Sequence, residues 1–175
     1  MCIRDRLKES GIPLRSVKAV SGSGQQHGTV YLNAGADRTL QRLDPGESLS
    51  AQMKDVFSRR TSPVWMDSST ETECIEIEEA VGGREELIRI TGSSAFRRFS
   101  GPQIRKFFKE SPDRYKNTRY IHLVSSFIAS VLAGKSVAME PGDGAGMNLM
   151  DIRKKEWSPR ALEATAPNLE EKLPP

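Results

Sequence analysis

The sequence predicts an α/β layered domain, and three observations lead there. Short β-rich apolar runs alternate with stretches of helical spacing. Glycine or proline punctuates almost every junction between them. The composition is that of a globular chain, 37% hydrophobic and 28% charged among 175 residues, long enough for one domain with a real core.

Leu7-Lys8-Glu9-Ser10-Gly11 reads as the last turn of a helix closed by a C′ glycine. Residues 17–21 and 28–32 read as strands on either side of the turn Gly22-Ser23-Gly24. Pro45 and Gly46 mark a loop. Residues 48–57 then have helical spacing, with Leu49, Met53, Val56 and Phe57 on one face. Pro63-Val64-Trp65-Met66 reads as a compact apolar strand ending at Asp67. Ser68-Ser69-Thr70 caps an acidic helix over 71–81 that Gly82-Gly83 terminates, and a second helix runs over 84–90 to Gly92. Residues 101–108 predict a helix with Ile104, Phe107 and Phe108 inward. A strand over 120–124 leads into a helix over 126–132 that stops at Gly134. Residues 142–146 read as a loop and 147–151 as a strand, after which Ser158 caps a final helix with Pro159 at its first position. No repeat of solenoid period and no low-complexity linker interrupts the series, so it reads as one domain or part of one.

Charge and cysteine usage exclude several classes. Lys plus Arg number 26 and Asp plus Glu 23, a net charge of +3. Arg59-Arg60, Arg97-Arg98 and Arg153-Lys154-Lys155 are too short and dispersed for a nucleic-acid arm, so no nucleic-acid partner is expected. The longest apolar stretch, residues 123–133, is too short to span a bilayer. Two cysteines cannot build a disulfide framework, nor two histidines a rich metal site. The expected compartment is a reducing cytoplasm. Glu76, Glu78 and Glu79 read as a solvated helix face.

Both ends read as cut. Met1-Cys2-Ile3-Arg4-Asp5 fits nothing that follows and reads as a non-native, adapter-derived extension, leaving residues 6–175 as the domain proper. An opening in mid-helix, and a stop at Leu173-Pro174-Pro175 without a closing feature, predict a fragment.

The most informative motif is Gly22-Ser23-Gly24-Gln25-Gln26-His27-Gly28. Small residues after a strand let the backbone turn tightly and expose the polar side chains that follow, where ligands lie in open α/β sheets. Two amides and an imidazole suit a polyhydroxylated ligand, because each can donate and accept. His27 stands where a dinucleotide fingerprint needs its third glycine, and no Gly-Lys-Ser/Thr follows for a phosphate loop. The plain alternative is a polar turn with an exposed histidine. Trp65-Met66-Asp67 pairs an aromatic with a carboxylate, as carbohydrate sites do; otherwise Trp65 is core and Asp67 caps the next helix. Arg97 and Arg98 are candidates to anchor an anion or polyol, or an exposed surface pair. The loop around Asp143 lacks the alternating carboxylates of a calcium site. No nucleophilic triad is visible.

In their order along the chain these segments resemble the FGGY family of carbohydrate kinases, most closely its eukaryotic-type xylulokinase branch. The resemblance spans residues 7–173. It is carried by Ser21-Gly22-Ser23-Gly24-Gln25-Gln26-His27-Gly28, by Ser62-Pro63-Val64-Trp65-Met66-Asp67-Ser68-Ser69-Thr70 and by Arg98-Phe99-Ser100-Gly101-Pro102-Gln103-Ile104. It continues through Leu123-Val124-Ser125-Ser126-Phe127, Gly146-Met147-Asn148-Leu149-Met150 and Ala166-Pro167-Asn168-Leu169-Glu170-Glu171-Lys172-Leu173. It implies the ribonuclease-H-like, actin-like ATPase fold, with this chain a partial N-terminal lobe whose mixed sheet is flanked by helices. It also implies transfer of the ATP γ-phosphate to a ketopentose with Mg2+, D-xylulose giving xylulose 5-phosphate. A kinase for ribulose, gluconate or another polyol is one alternative; a non-catalytic sugar-binding or regulatory half-lobe is another. By resemblance, His27 and Arg98 are sugar contacts, with Gln26 beside them and Asp67 near the site. The catalytic aspartate and the ATP lobe are expected after Pro175, so no catalytic, cofactor or metal residue is expected in this chain. The implied partners are a small-molecule sugar and the remainder of the same kinase chain. Alone, the chain is expected to be inactive and poorly soluble or molten, with residues 123–132 and 63–66 the sticky segments.

Overall fold

A computed structural model describes residue 6 and residues 9–174; the expected non-native residues 1–5, with Leu7 and Lys8 of the opening turn, lie outside that set. Gly11 closes that turn in the left-handed region at φ 69°.

The centre is an antiparallel ribbon of β1 (Thr29–Leu32) and β2 (Tyr120–Leu123), with Thr29 opposite Leu123 and Leu32 opposite Tyr120. All four residues of β1 are buried, because the ribbon is covered on both faces. On one side Tyr31, Ile121 and Leu123 join Ile104, Phe107, Tyr115, Met147, Leu149 and Leu162. On the other, Val30 and Leu32 join Ala36, Leu40, Met53 and Val56. A strand buried on both faces reads as a continuous apolar run, which is what made residues 28–32 legible.

The helices supply the two covers. α1 (Ala36–Gln41) and α2 (Leu49–Met53) bring Leu40 and Met53 to the second cluster. α3 (Glu71–Ala80) and α4 (Arg84–Thr91) build a third cluster around Ile77, Val81, Leu87 and Ile90. α5 (Ser100–Glu110) packs on α3 and turns Ile104 and Phe107 toward Tyr31, and the short α6 (Pro112–Lys116) follows it. α7 (Val124–Ala133) leaves β2 directly, and α8 (Pro141–Ala145) precedes the hairpin of β3 (Met150–Asp151) and β4 (Glu156–Trp157). In α9 (Pro159–Thr165), the Ser158 side chain accepts from the Ala161 N–H, as its place before Pro159 predicts. Gly92 and Gly134 end α4 and α7 in the left-handed conformation. Cys74 is a free, buried thiol. Among the described residues no helix is long and apolar enough to cross a membrane.

Five expectations need correction. Residues 17–21 form no strand: Val17 and Val20 are 41% and 70% exposed, and β-propensity forms nothing without an edge to pair with. Residues 63–66 are a turn rather than a buried strand, closed by the Asp67 N–H donating to the Val64 carbonyl, and they leave Trp65 52% exposed. Residues 142–146 are mostly helical, because the Glu140 side chain caps α8 by accepting from the Asp143 N–H. The strand over 147–151 shrinks to two residues because Asn148 sits at φ 64°, which interrupts an extended run. The acidic face of α3 is also less solvated than its composition implied. Glu73 is buried against Lys109, Glu76 binds Arg105 and Lys109, and Glu78 accepts from the Ala95 N–H.

Candidate functional site

Residues 20–28 run across the start of α7. Their glycines serve close approach: a Cβ on Gly24 would fall 2.7 Å from Val124 Cβ, and one on Gly22 would fall 3.3 Å from Ile128 Cβ. Neither glycine takes a positive φ, so small size is what the path requires. The Gln25 amide donates to the Pro63 carbonyl at 3.3 Å, which ties the glycine segment to the exposed turn of Val64, Trp65 and Met66.

His27 follows at φ 63°, uncommon for a residue with a side chain. Its Nδ1 lies 2.9 Å from the Gly146 carbonyl, and its ring centroid lies 4.9 Å from that of Phe99. Its own carbonyl accepts from Ser100 Oγ at 3.1 Å. Burial holds the imidazole below its ordinary pKa of 6.5. The Gly146 hydrogen bond opposes this, the Arg98 charge adds to it, and the Asp143 charge opposes it. His27, Arg98 and Asp143 therefore meet in one place, from the lead-in to β1, the lead-in to α5, and α8.

The structure separates the two adjacent arginines. Arg97 is bound to Glu71, and its carbonyl accepts from the Thr70 hydroxyl and, at 3.3 Å, from the Gln103 amide. It is a joint between α3 and α5. Arg98 is exposed, with its guanidinium 4.6 Å from the Phe96 ring centroid, and no ion pair to it is formed among the described residues. Phe96 and Phe99 are themselves 5.8 Å apart, so Arg98 and His27 lie on one small aromatic platform.

Asp67 is brought to the same end of α5 but is engaged locally. Its Oδ1 accepts from the Ser69 N–H at 2.8 Å and the Ser69 hydroxyl at 2.5 Å. Those bonds, the Ser69 hydroxyl foremost, hold its carboxyl below the usual range. Gln26 is exposed. Residue-by-residue reading missed four supports: Phe99, Ser100, the Gly146 carbonyl, and Ser125, whose hydroxyl donates to Asp143 Oδ2. Only Phe99 left a local trace, as an aromatic beside Arg98.

Comparisons with known proteins show the family of the chain. The N-terminal-domain pattern of the FGGY family of carbohydrate kinases matches residues 49–175. Xylulose kinase 2 of Arabidopsis thaliana is 54% identical over 171 residues, which make up 98% of this chain and 31% of that protein. Xylulose kinase of Rattus norvegicus is 46% identical, covering 98% of this chain and 32% of its own length. The crystal structure of a xyloylose kinase from Brucella ovis superimposes with TM-score 0.76 at 20% identity, over 99% of this chain and 30% of that one. The chain belongs to the FGGY family of carbohydrate kinases, with the actin-like ATPase fold of a partial N-terminal lobe. It spans about a third of the length of the curated relatives it matches.

Proposed function

We propose that the protein carrying this chain is an ATP- and Mg2+-dependent kinase that phosphorylates a ketopentose, D-xylulose to xylulose 5-phosphate. The observation that carries this reading is the meeting of His27 and Arg98 on the Phe96–Phe99 platform, although 71 positions separate them in the sequence. An imidazole and a guanidinium on one aromatic platform can supply hydrogen bonds to hydroxyls of one ligand, and the exposed Trp65 offers a further ring face. Gln26 and Asp67 complete the proposed substrate set. The names of the relatives favour xylulose over other polyols.

We place ATP and magnesium on the remainder of the kinase. Among the described residues no group of three or more His, Cys, Asp or Glu converges as a metal site. These residues do not by themselves fit the metal, and they belong instead to the sugar side of the reaction. Their task is to bind and orient the sugar, and positioning carries much of the rate in phosphoryl transfer. By the same reading residues 6–175 are one incomplete domain, the kinase works in the cytoplasm, and this chain alone turns over no ATP. The test is ATP consumption by the whole kinase against a panel of pentuloses, hexuloses and polyols. Stimulation by xylulose first among them is expected, and no stimulation by any sugar would end the reading.

A further inference from the structure

We propose that Ser125 and Asp143 are positioning residues that hold His27 in a single neutral tautomer, with the proton on Nδ1 and the lone pair of Nε2 turned to the ligand. That the ligand is a sugar rests on the kinase reading above; the tautomer does not.

A carbonyl oxygen only accepts, so the Gly146 oxygen at 2.9 Å requires a hydrogen on Nδ1. In a neutral ring the other nitrogen is then bare. Among the described residues Nε2 has no hydrogen-bond partner, whereas both ring nitrogens of His122 are engaged by serine hydroxyls. The orientation of the Gly146 carbonyl thus decides which hydrogen bonds His27 can make.

That carbonyl belongs to the cap of a five-residue helix, too short to hold itself in place. Two ties hold it. On one side the Gly101 N–H donates to the Met147 carbonyl at 2.9 Å. On the other, the Asp143 carbonyl accepts from the Gly146 N–H at 3.1 Å, while the Asp143 carboxylate accepts from Ser125 Oγ. Ser125 stands in the first turn of α7, where the neighbouring Val124 N–H donates to the Gly28 carbonyl at 3.2 Å. The circuit closes through Gly28, Val124, Ser125, Asp143 and Gly146 back to His27. It links the strand that carries the histidine to the turn that sets its proton.

The consequence is a matched pair. Nε2 accepts, and Arg98 only donates, so the site selects a free hydroxyl that gives its hydrogen to His27 and takes one from Arg98. The charged groups facing the ring are Arg98 and Asp143.

The test is 15N spectroscopy of histidine-labelled protein, with the His27 signal identified by its loss in His27→Gln and His122 serving as a control for the fold. The expected wild-type pattern at pH 7.5 is a protonated Nδ1 and an unprotonated Nε2. Ser125→Ala and Asp143→Ala should convert it to a tautomer mixture while His122 stays unmoved. Asp143→Asn, whose amide oxygen still accepts from Ser125, should retain it. In the whole kinase the sugar KM should rise about twofold in the two alanine variants, because only the fraction of His27 still protonated on Nδ1 accepts from the sugar, with the ATP KM unchanged. A wild-type His27 protonated on Nε2, or a tautomer indifferent to both alanine substitutions, overturns the proposal. Should Asp143→Ala disturb His122 as well, Ser125→Ala decides, since it removes a single hydroxyl. The expected tautomer changes with an unmoved sugar KM would support the positioning role and overturn the sugar contact of His27.

Discussion

His27 and Arg98 are proposed to grip the same ligand with different chemistry, and their substitutions should differ in size. A neutral hydrogen bond is worth about 0.5–1.5 kcal/mol and one to a charged group about 1.5–3 kcal/mol, so His27→Ala should raise the sugar KM roughly 2- to 10-fold and Arg98→Ala roughly 10- to 150-fold. Arg97→Ala, at a residue engaged with Glu71, should lower the melting temperature and leave the sugar KM nearly unchanged. Steady-state kinetics on the three variants checks this; equal KM effects at Arg97 and Arg98 would contradict the assignment. The second histidine has a different part. His122 is fully buried between Ser126 and Ser136, and burial pushes its pKa from 6.5 down to about 4. Between those values the unfolded chain binds a proton that the folded chain refuses. The stabilisation is thus complete above pH 6.5 and is lost as pH falls toward 4, on the order of 3 kcal/mol in all. Thermal melts from pH 7 to 4.5 should show His122→Gln losing less stability on acidification than the wild type. Parallel curves would show that His122 does not drive the acid limb.

The glycine segment and the caps are where local chemistry meets packing. Gly24→Ala would press a Cβ against Val124, a β-branched side chain with little freedom to turn aside. Overpacking of this kind costs about 1–3 kcal/mol. Because the segment leads straight into His27, a rise in sugar KM should accompany the loss of melting temperature. A variant as stable as wild type would mean that the segment does not lie on α7 in solution. Ser158→Ala removes the cap of α9 and should cost about 1 kcal/mol, with no effect on sugar KM, since α9 packs on α3 and α5 away from His27.

The molecule as a whole carries apolar surface that a closed domain would cover. Val64, Trp65 and Met66 are 50%, 52% and 68% exposed, Phe96 stands 49% exposed, and Leu132 on α7 reaches 57%. Of the two segments expected to be sticky, the turn over 64–66 is open along its length, whereas Leu123 is buried in the ribbon. Exposed apolar patches drive association. The 175-residue chain should therefore scatter light increasingly with concentration, and replacing Trp65 and Met66 by Ser should reduce that scattering. It should also show no sugar-dependent ATP turnover at any concentration. A monodisperse chain with sugar-stimulated turnover would contradict both statements.

The sequence by itself determined the elements whose signals are local. α3, α4, α5, α7 and α9 lie within one or two residues of where periodicity, end glycines and the Ser158-Pro159 start put them, because a helix is built from contacts three and four residues apart. Family resemblance points to His27 and Arg98 as candidates for the same reason: each sits in a contiguous motif. Tertiary structure decided what depends on distant partners. Residues 17–21 have strand composition but no edge to pair with, and Trp65 is apolar but left uncovered. Arg97 and Arg98 are indistinguishable as a dipeptide until Glu71 takes one of them. The Gly146 carbonyl reaches His27 across 119 residues, and Asp143 meets Ser125 across 18. A strand, an ion pair and a histidine's proton are each settled by the group opposite, which only the folded chain supplies.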